Sequence, residues 1–254
     1  MPTHQKMLIT GAAVRIGAAV AQAFAQQGWE LVLHYHRNAE KAEELADRLR
    51  ADGAVITLIQ ADLSVESEVE QLISLSTADQ PLTALINNAS LFSYDDFASV
   101  GFEAIQRHMA VNLAAPALLT RLFAEQAEGE KGCVINMLDA KLFGLNPDYF
   151  SYTLSKAALQ CFNQIAAQAY APQIRVNAVA PGITLPSGGQ SEAEFRRSHQ
   201  LNLLGKGADI SEIVAAMQLI LSSQSMTGEV IVLDGGCHLQ PFARDVAFIE
   251  DSRA

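Results

Sequence analysis

The sequence predicts an α/β chain: one doubly wound domain, 1–254, with a seven-stranded, mostly parallel sheet flanked by helices. Three observations lead there. Short apolar runs alternate with helix-period stretches from one end of the 254 residues to the other. Within each run the apolar residues are nearly continuous, as in strands covered on both faces. No Pro/Ser-rich linker, repeat or low-complexity segment divides the chain, and half of its residues are hydrophobic, enough for one large core.

The elements follow in order. "MLIT" (7–10) is the first strand, running through "GAAVRIG" into a helix marked by Ile16, Val20, Ala23 and Phe24. "ELVLHYH" (30–36), a helix carrying Leu45 and Leu49, and "AVITLIQ" (54–60) come next. "LTALIN" (82–87) is the fourth strand, and an apolar helix over 113–123 precedes "CVINML" (133–138). "DYFSYTLSKAALQCF" reads as helix, and "IRVNAVA" (174–180) and "EVIVLD" (229–234) complete the sheet. The stretch 184–207 opens with Pro and Gly-Gly, holds a short amphipathic piece and follows a strand's carboxyl end, where a substrate lid is expected. Its Phe195, Leu201, Leu203 and Leu204 either close a pocket or pack as an ordinary helix.

Composition sets limits. With 17 basic and 28 acidic residues the net charge is −11, and no basic block is present, which argues against a nucleic-acid or anionic-membrane surface. An anionic ligand must therefore meet a local cluster of cations. Cys133, Cys161 and Cys237 have neither CxxC nor Cys/His spacing, so reduced thiols are expected and no metal site. The beginning lacks a signal-peptide core, and no run approaches the ~18–20 apolar residues of a membrane span. A soluble, cytoplasmic protein is the expectation.

The strand–turn–helix at Gly11–Gly17 suits a dinucleotide. Gly11 can make the tight turn, Gly17 lets the helix approach the sheet, and the helix N-terminus offers N–H groups to a phosphate. Arg15, however, stands where a third glycine is usual. The end of the second strand, His34-Tyr35-His36-Arg37-Asn38, carries no carboxylate to hold a ribose 2′-hydroxyl, and Arg37 can grip a 2′-phosphate; NADPH is thus expected over NADH. In "ADLS" Asp62 can accept from the adenine amino group while Leu63 packs on the ring, and in "NNAS" Asn88, Ala89 and Ser90 turn beside the cofactor. His34, His108, His199 and His238 show no partner spacing, so core or surface roles are their default.

Tyr152 and Lys156 lie four apart on one helix face. A phenol with a pKa of about 10 donates poorly, and a nearby ammonium is expected to lower that value. Asp139 lies 13 residues before Tyr152, at the end of the fifth strand. Asn112 is the one polar side chain of "AVNLAAP".

These landmarks, in order with "APG" (180–182) after the sixth strand, resemble the short-chain dehydrogenase/reductase family, a Rossmann-type fold, across essentially the whole chain. Most members have serine at the Asp139 position and a small residue at Arg15. Both departures, with "LHYHRN", "NNASLF" and the lid segment, look like the pteridine reductase and dihydromonapterin reductase branch, which has dihydrofolate reductase side activity. The resemblance implies catalytic Asn112, Asp139, Tyr152 and Lys156, with Lys156 also holding the nicotinamide ribose. It implies that Pro181, Gly182, Ile183 and Thr184 meet the nicotinamide carboxamide. Arg15 would contact both pyrophosphate and pterin, Ser90 both ligands, and Phe92 would sandwich the pterin against the nicotinamide. Tetramers are common in the family. The expected reaction is NADPH-dependent reduction of a dihydropterin or dihydrofolate to its tetrahydro form. A general carbonyl reductase, such as a 3-oxoacyl carrier-protein reductase, and a non-catalytic NADP-binding sensor are the competing readings.

Overall fold

The computed structural model describes residues 5–127, 131–186, 189–240 and 242–249. The first four residues, Ser187 and Gly188 of the expected lid, and the last five residues lie outside them. Seven strands pair in the order β3-β2-β1-β4-β5-β6-β7, all parallel. They are β1 (Lys6–Ile9), β2 (Glu30–Tyr35), β3 (Ile56–Gln60), β4 (Ala84–Asn87), β5 (Gly132–Met137), β6 (Ile174–Pro181) and β7 (Val230–Leu233). Each expected strand is present. The first starts one residue early because Lys6 is buried, its ammonium paired with Glu30 at 3.1 Å and with Asp79.

Alternation along the strands divides the core. Met7, Ile9, Leu31, Leu33, Ile86 and Ile135 point to one face, against Val20 and Phe24 of α1 (Arg15–Ala25), Leu45 and Leu49 of α2 (Ala39–Ala51) and, further along the chain, a helix with Met217 and Ile220. Leu8, Val32, Leu85, Val134 and Val176 point to the other, against Leu72 of α3 (Glu66–Ser76) and Leu119 and Phe123 further along. Each fully buried side chain of this kind stabilises by roughly 1.5–3 kcal/mol, so the sheet fixes the positions of its loops.

The second half differs from the expected single helix over 113–123. An α4 (Phe102–Met109) leads into a π-helical turn at Ala110–Ala114, and α5 (Ala115–Gln126) follows. After β5 come a 3-10 turn at Ala140–Phe143, α6 (Phe150–Tyr170), β6, α7 (Glu192–Gln200), α8 (Ile210–Ser222) and β7. Strand order reverses between β1 and β4, and the crevice outside the carboxyl ends of such strands is where ligands of doubly wound sheets bind. No helix among the described residues is long and apolar enough to cross a membrane.

Candidate active site

A cleft of about 1030 Å³ opens along those carboxyl ends, lined by the last residues of β2, β5 and β6 and by the segments that follow the other strands. At one end lies the glycine turn. Gly11 has φ +64, and a Cβ there would stand 2.9 Å from the Ala89 Cα; at Gly17 it would stand 2.3 Å from the Gly11 carbonyl oxygen. Helix α1 therefore seats directly on the turn, and Val14 contributes no side-chain cap to its N-terminus. Its first-turn N–H groups face the cleft as a phosphate would need. Arg15 itself has φ +57, the left-handed region where glycine is the ordinary occupant. Its guanidinium lines the cleft and donates to the carbonyl of Pro186, in the expected lid.

Three side chains brace this turn from behind. Thr10 Oγ1 accepts from the backbone N–H groups of Asn88 and Ala89, both at 3.0 Å. Asn88 Nδ2 donates to the carbonyls of Thr10 (2.8 Å) and Gly11 (3.1 Å). His34 is buried; its Nδ1 accepts from the Gly11 N–H at 3.1 Å and its Nε2 reaches the Ala61 carbonyl at 3.0 Å. Burial holds its pKa below the usual value, so the ring is neutral. Asn88 and His34, expected near the cofactor, line the cleft and also hold the turn. Thr10 was not singled out in the sequence, although a hydroxyl just before a glycine turn is a visible signal.

The end of β2 is open. Tyr35, His36, Arg37 and Asn38 all line the cleft, and His36 Nε2 lies 3.4 Å from Asp62 Oδ2. Asp62 Oδ1 accepts from the Ser64 N–H (2.9 Å) and hydroxyl (2.7 Å); these bonds, with lesser help from His36 and Arg37, hold its carboxyl low. Leu63 also lines the cleft.

At the other end stand the chemical groups. Asp139 follows β5 by two residues and caps the 3-10 turn, its Oδ1 accepting from the Lys141 N–H at 2.8 Å. Its Oδ2 accepts from the Tyr152 hydroxyl at 2.7 Å. Burial pushes the Asp139 carboxyl up, against the pull of Lys141, Tyr152 and Lys156. The expected lowering of the Tyr152 phenol is corrected here. Burial, then the charge and hydrogen bond of Asp139, raise it well above 10. The ammonium of Lys156 is instead turned to the Met137 carbonyl (2.7 Å), 5.8 Å from the phenol ring centre, and burial brings its own pKa down to about 8.

Asn112 does not line the cleft. Fully buried in the π-helical turn, it accepts from the Leu91 N–H (2.7 Å) and the Ser90 hydroxyl (3.3 Å) and donates to the Leu91 carbonyl (2.9 Å) and Ser155 Oγ (2.9 Å). Ser155 in turn donates to the Tyr152 carbonyl at 2.7 Å. Asn112 therefore ties the Ser90–Leu91 wall to α6. On that wall the rings of Phe92 and Tyr152 meet edge to face (4.7 Å, 85°), while one face of Phe92 is covered by Tyr149 (4.4 Å, 18°). Pro181, Gly182, Ile183 and Thr184 line the floor, with Gly182 pressed on Asp234, where a Cβ would come to 2.8 Å.

The substrate mouth decides between the two readings of the lid. Thr184 and Leu185 reach the cleft, but Phe195, Leu201, Leu203 and Leu204 do not; Phe195 packs on His199 at 5.1 Å. Phe242, Asp245, Val246 and Ala247 line the cleft instead. Arg244 clasps Asp148 through Nε and Nη2, at 2.7–3.0 Å, and Lys141 donates to Asp245 at 3.0 Å. This C-terminal strap rests on an aromatic cluster of Tyr94, Tyr149 and Phe248. Nothing local in "FARDVAF" signals a pocket wall, since both ion pairs join residues about a hundred positions apart.

Comparison with known proteins bears directly on this site. A family model described as enoyl-(acyl carrier protein) reductase matches residues 11–238. The chain belongs to the short-chain dehydrogenase/reductase family. It is therefore an oxidoreductase, and curated relatives bear that name. The chain is 30% identical to an uncharacterized oxidoreductase, YmfI, of Bacillus subtilis, over 92% of this chain and 99% of that one. It is 29% identical to pteridine reductase 1 of Leishmania tarentolae, covering 94% and 98%. Among solved structures, FolM alternative dihydrofolate reductase 1 from Brucella suis, in complex with NADP, superposes with a TM-score of 0.90 at 37% identity, covering 94% and 97%.

Proposed function

We propose that this oxidoreductase uses NADPH to reduce a pterin ring, taking a dihydropterin or dihydrofolate to the tetrahydro form. One observation carries the reading: the carboxyl of Asp139 accepts from the Tyr152 hydroxyl at 2.7 Å, beside the Phe92 ring. Polarising a ketone requires only a hydroxyl, whereas reducing a ring C=N needs a proton at nitrogen. A carboxyl raised by burial can hold and relay that proton. The names of the Leishmania and Brucella relatives support the same assignment.

The cradle fits a dinucleotide, because both glycines approach backbone too closely for any side chain. When bound, NADPH supplies the hydride from its nicotinamide. Arg37 and His36 receive the 2′-phosphate, and the first turn of α1 the pyrophosphate. Leu63 and Asp62 bound the adenine, and Pro181–Thr184 the nicotinamide carboxamide. Lys156 holds the ribose. The free face of Phe92 stacks on the pterin, Arg15 and Ser90 bond to its polar edge, and Tyr152 delivers a proton that Asp139 replaces. Asn112 positions the Ser90 wall against α6. In this reading the molecule assembles as a homotetramer.

The test is NADPH oxidation with a dihydropterin, dihydrofolate and an acetoacetyl thioester offered separately. Turnover of the pterin or folate is the expected result. Turnover of the thioester alone would make the protein a carbonyl reductase, and NADPH binding without any turnover would make it a sensor.

A further inference from the structure

The cleft holds a second acid–imidazole pair that the chemistry above does not use. It lies in the turn after β7. The Asp234 side chain is 2% exposed and fully engaged: Oδ1 accepts from the Gly236 N–H at 2.9 Å, and Oδ2 accepts from both the backbone N–H and the ring Nδ1 of His238, each at 2.8 Å. Gly235 and Gly236, with φ +64 and +80, reverse the chain so that the residue four positions on meets the carboxylate.

This arrangement fixes the ring. A carboxylate that only accepts obliges Nδ1 to carry a proton, which leaves Nε2 as the outward nitrogen, an acceptor in the neutral imidazole. His238 lines the cleft with 27% of its side chain exposed, and Nε2 has no hydrogen-bond partner among the described residues. The pair is also well placed. Asp234 backs onto Gly182 at the cleft floor, and the His238 ring stands 6.1 Å from that of Phe143, in the turn that begins at Asp139.

We propose that His238, oriented by Asp234, is a substrate contact whose Nε2 accepts a hydrogen bond from a hydroxyl group on the side chain of a pterin. The inference rests on the pterin reading of the cleft and adds what holds the substituent. The ring's own polar edge is assigned to Arg15, Ser90 and the Tyr152–Asp139 pair, whereas His238 belongs to a separate element beside the C-terminal strap. An uncharged donor suits this corner. Burial, followed by the charges of Asp234, Asp245 and Asp139, pushes the neighbouring Cys237 thiol up to about 11, so the local field is negative and disfavours an anionic substituent. Asp234 is a positioning residue: it acts only through the imidazole.

Two substitutions separate a contact from a structural pin. His238→Asn keeps a side-chain N–H for Asp234 but removes the outward nitrogen. His238→Gln keeps a polar atom near the Nε2 position. Steady-state kinetics would compare a dihydropterin bearing a hydroxyalkyl side chain with its methyl counterpart, alongside NADPH binding. The expected result is a KM about tenfold higher in His238→Asn for the hydroxyalkyl substrate alone, about 1.4 kcal/mol. Its kcat should stay within about twofold, NADPH affinity should be unchanged, and His238→Gln should restore most of the loss. An equal effect on both substrates, no effect on either, or a defect in His238→Gln with His238→Asn normal would overturn the proposal. If the unsubstituted enzyme turned over neither pterin, the pterin reading itself would fall, and this contact with it.

Discussion

Asp139 and Tyr152 form one hydrogen-bonded pair, and burial pushes both groups up. Asp139→Ser keeps a small polar group at the end of β5 but removes the relay. Pterin turnover should fall by about 10²–10⁴, the usual worth of a placed acid, while NADPH affinity measured by fluorescence titration stays within about twofold. Arg37 is exposed just after β2, facing the cleft with no carboxylate at that end of the strand. Arg37→Asp should reverse the ratio of kcat/KM for NADPH to that for NADH, and an unchanged ratio would contradict its assignment to the 2′-phosphate. Lys156 carries a pH dependence. Its pKa is about 8 folded against 10.5 exposed, so between these values the unfolded chain holds more proton and stability rises with pH; below about 8 the penalty is complete. Lys156→Met should therefore raise Tm at pH 7 by roughly 2–4 °C, the equivalent of about 1 kcal/mol. That gain should shrink as pH climbs through the window, and turnover should be lost.

At the scale of elements, the site is assembled where separate segments are pinned together. The turn between β1 and α1 is held by Thr10 and Asn88 against the end of β4 and by His34 against the end of β2, so the phosphate cradle owes its shape to side-chain hydrogen bonds from neighbouring strands. The strap after β7 is held by Arg244 on Asp148 and Asp245 on Lys141. Arg244→Ala should loosen the strap without touching the acid–phenol pair. The expected signature is a pterin KM higher by about tenfold with kcat within about twofold, the mark of lost binding rather than lost chemistry. Much of this level was legible in the sequence. The nearly continuous apolar runs mark all seven strands, because a strand buried on both faces has no polar alternation to hide it. Asp234 and His238, four apart, were also open to view, yet they were passed over because the glycine pair between them conceals that the chain turns back on itself.

Across the whole molecule, the reversal of strand order between β1 and β4 gathers residues from positions 11 to 247 into one cleft. The opposite surfaces suit self-association. Leu154 and Ile165 of α6 are 40% and 60% exposed, Leu219 of α8 is 51% exposed, and the outer strand β7 is only half-buried along its length. Light scattering should give a mass about four times 27.3 kDa; a monomer at micromolar concentration would refute the tetramer.

What the sequence determined by itself was the set of strands, the glycine turn and the pairing of Tyr152 with Lys156 on one helical face, since periodicity and short-range spacing encode them directly. Only the tertiary structure decided that the lysine turns to Met137 and the phenol to Asp139, that Asn112 braces a wall instead of facing the cleft, and that the C-terminal strap rather than residues 195–204 lines the mouth. The reason is physical: where a buried polar group points is set by whichever donor or acceptor the packed chain brings within about 3 Å, and that partner is usually remote in sequence.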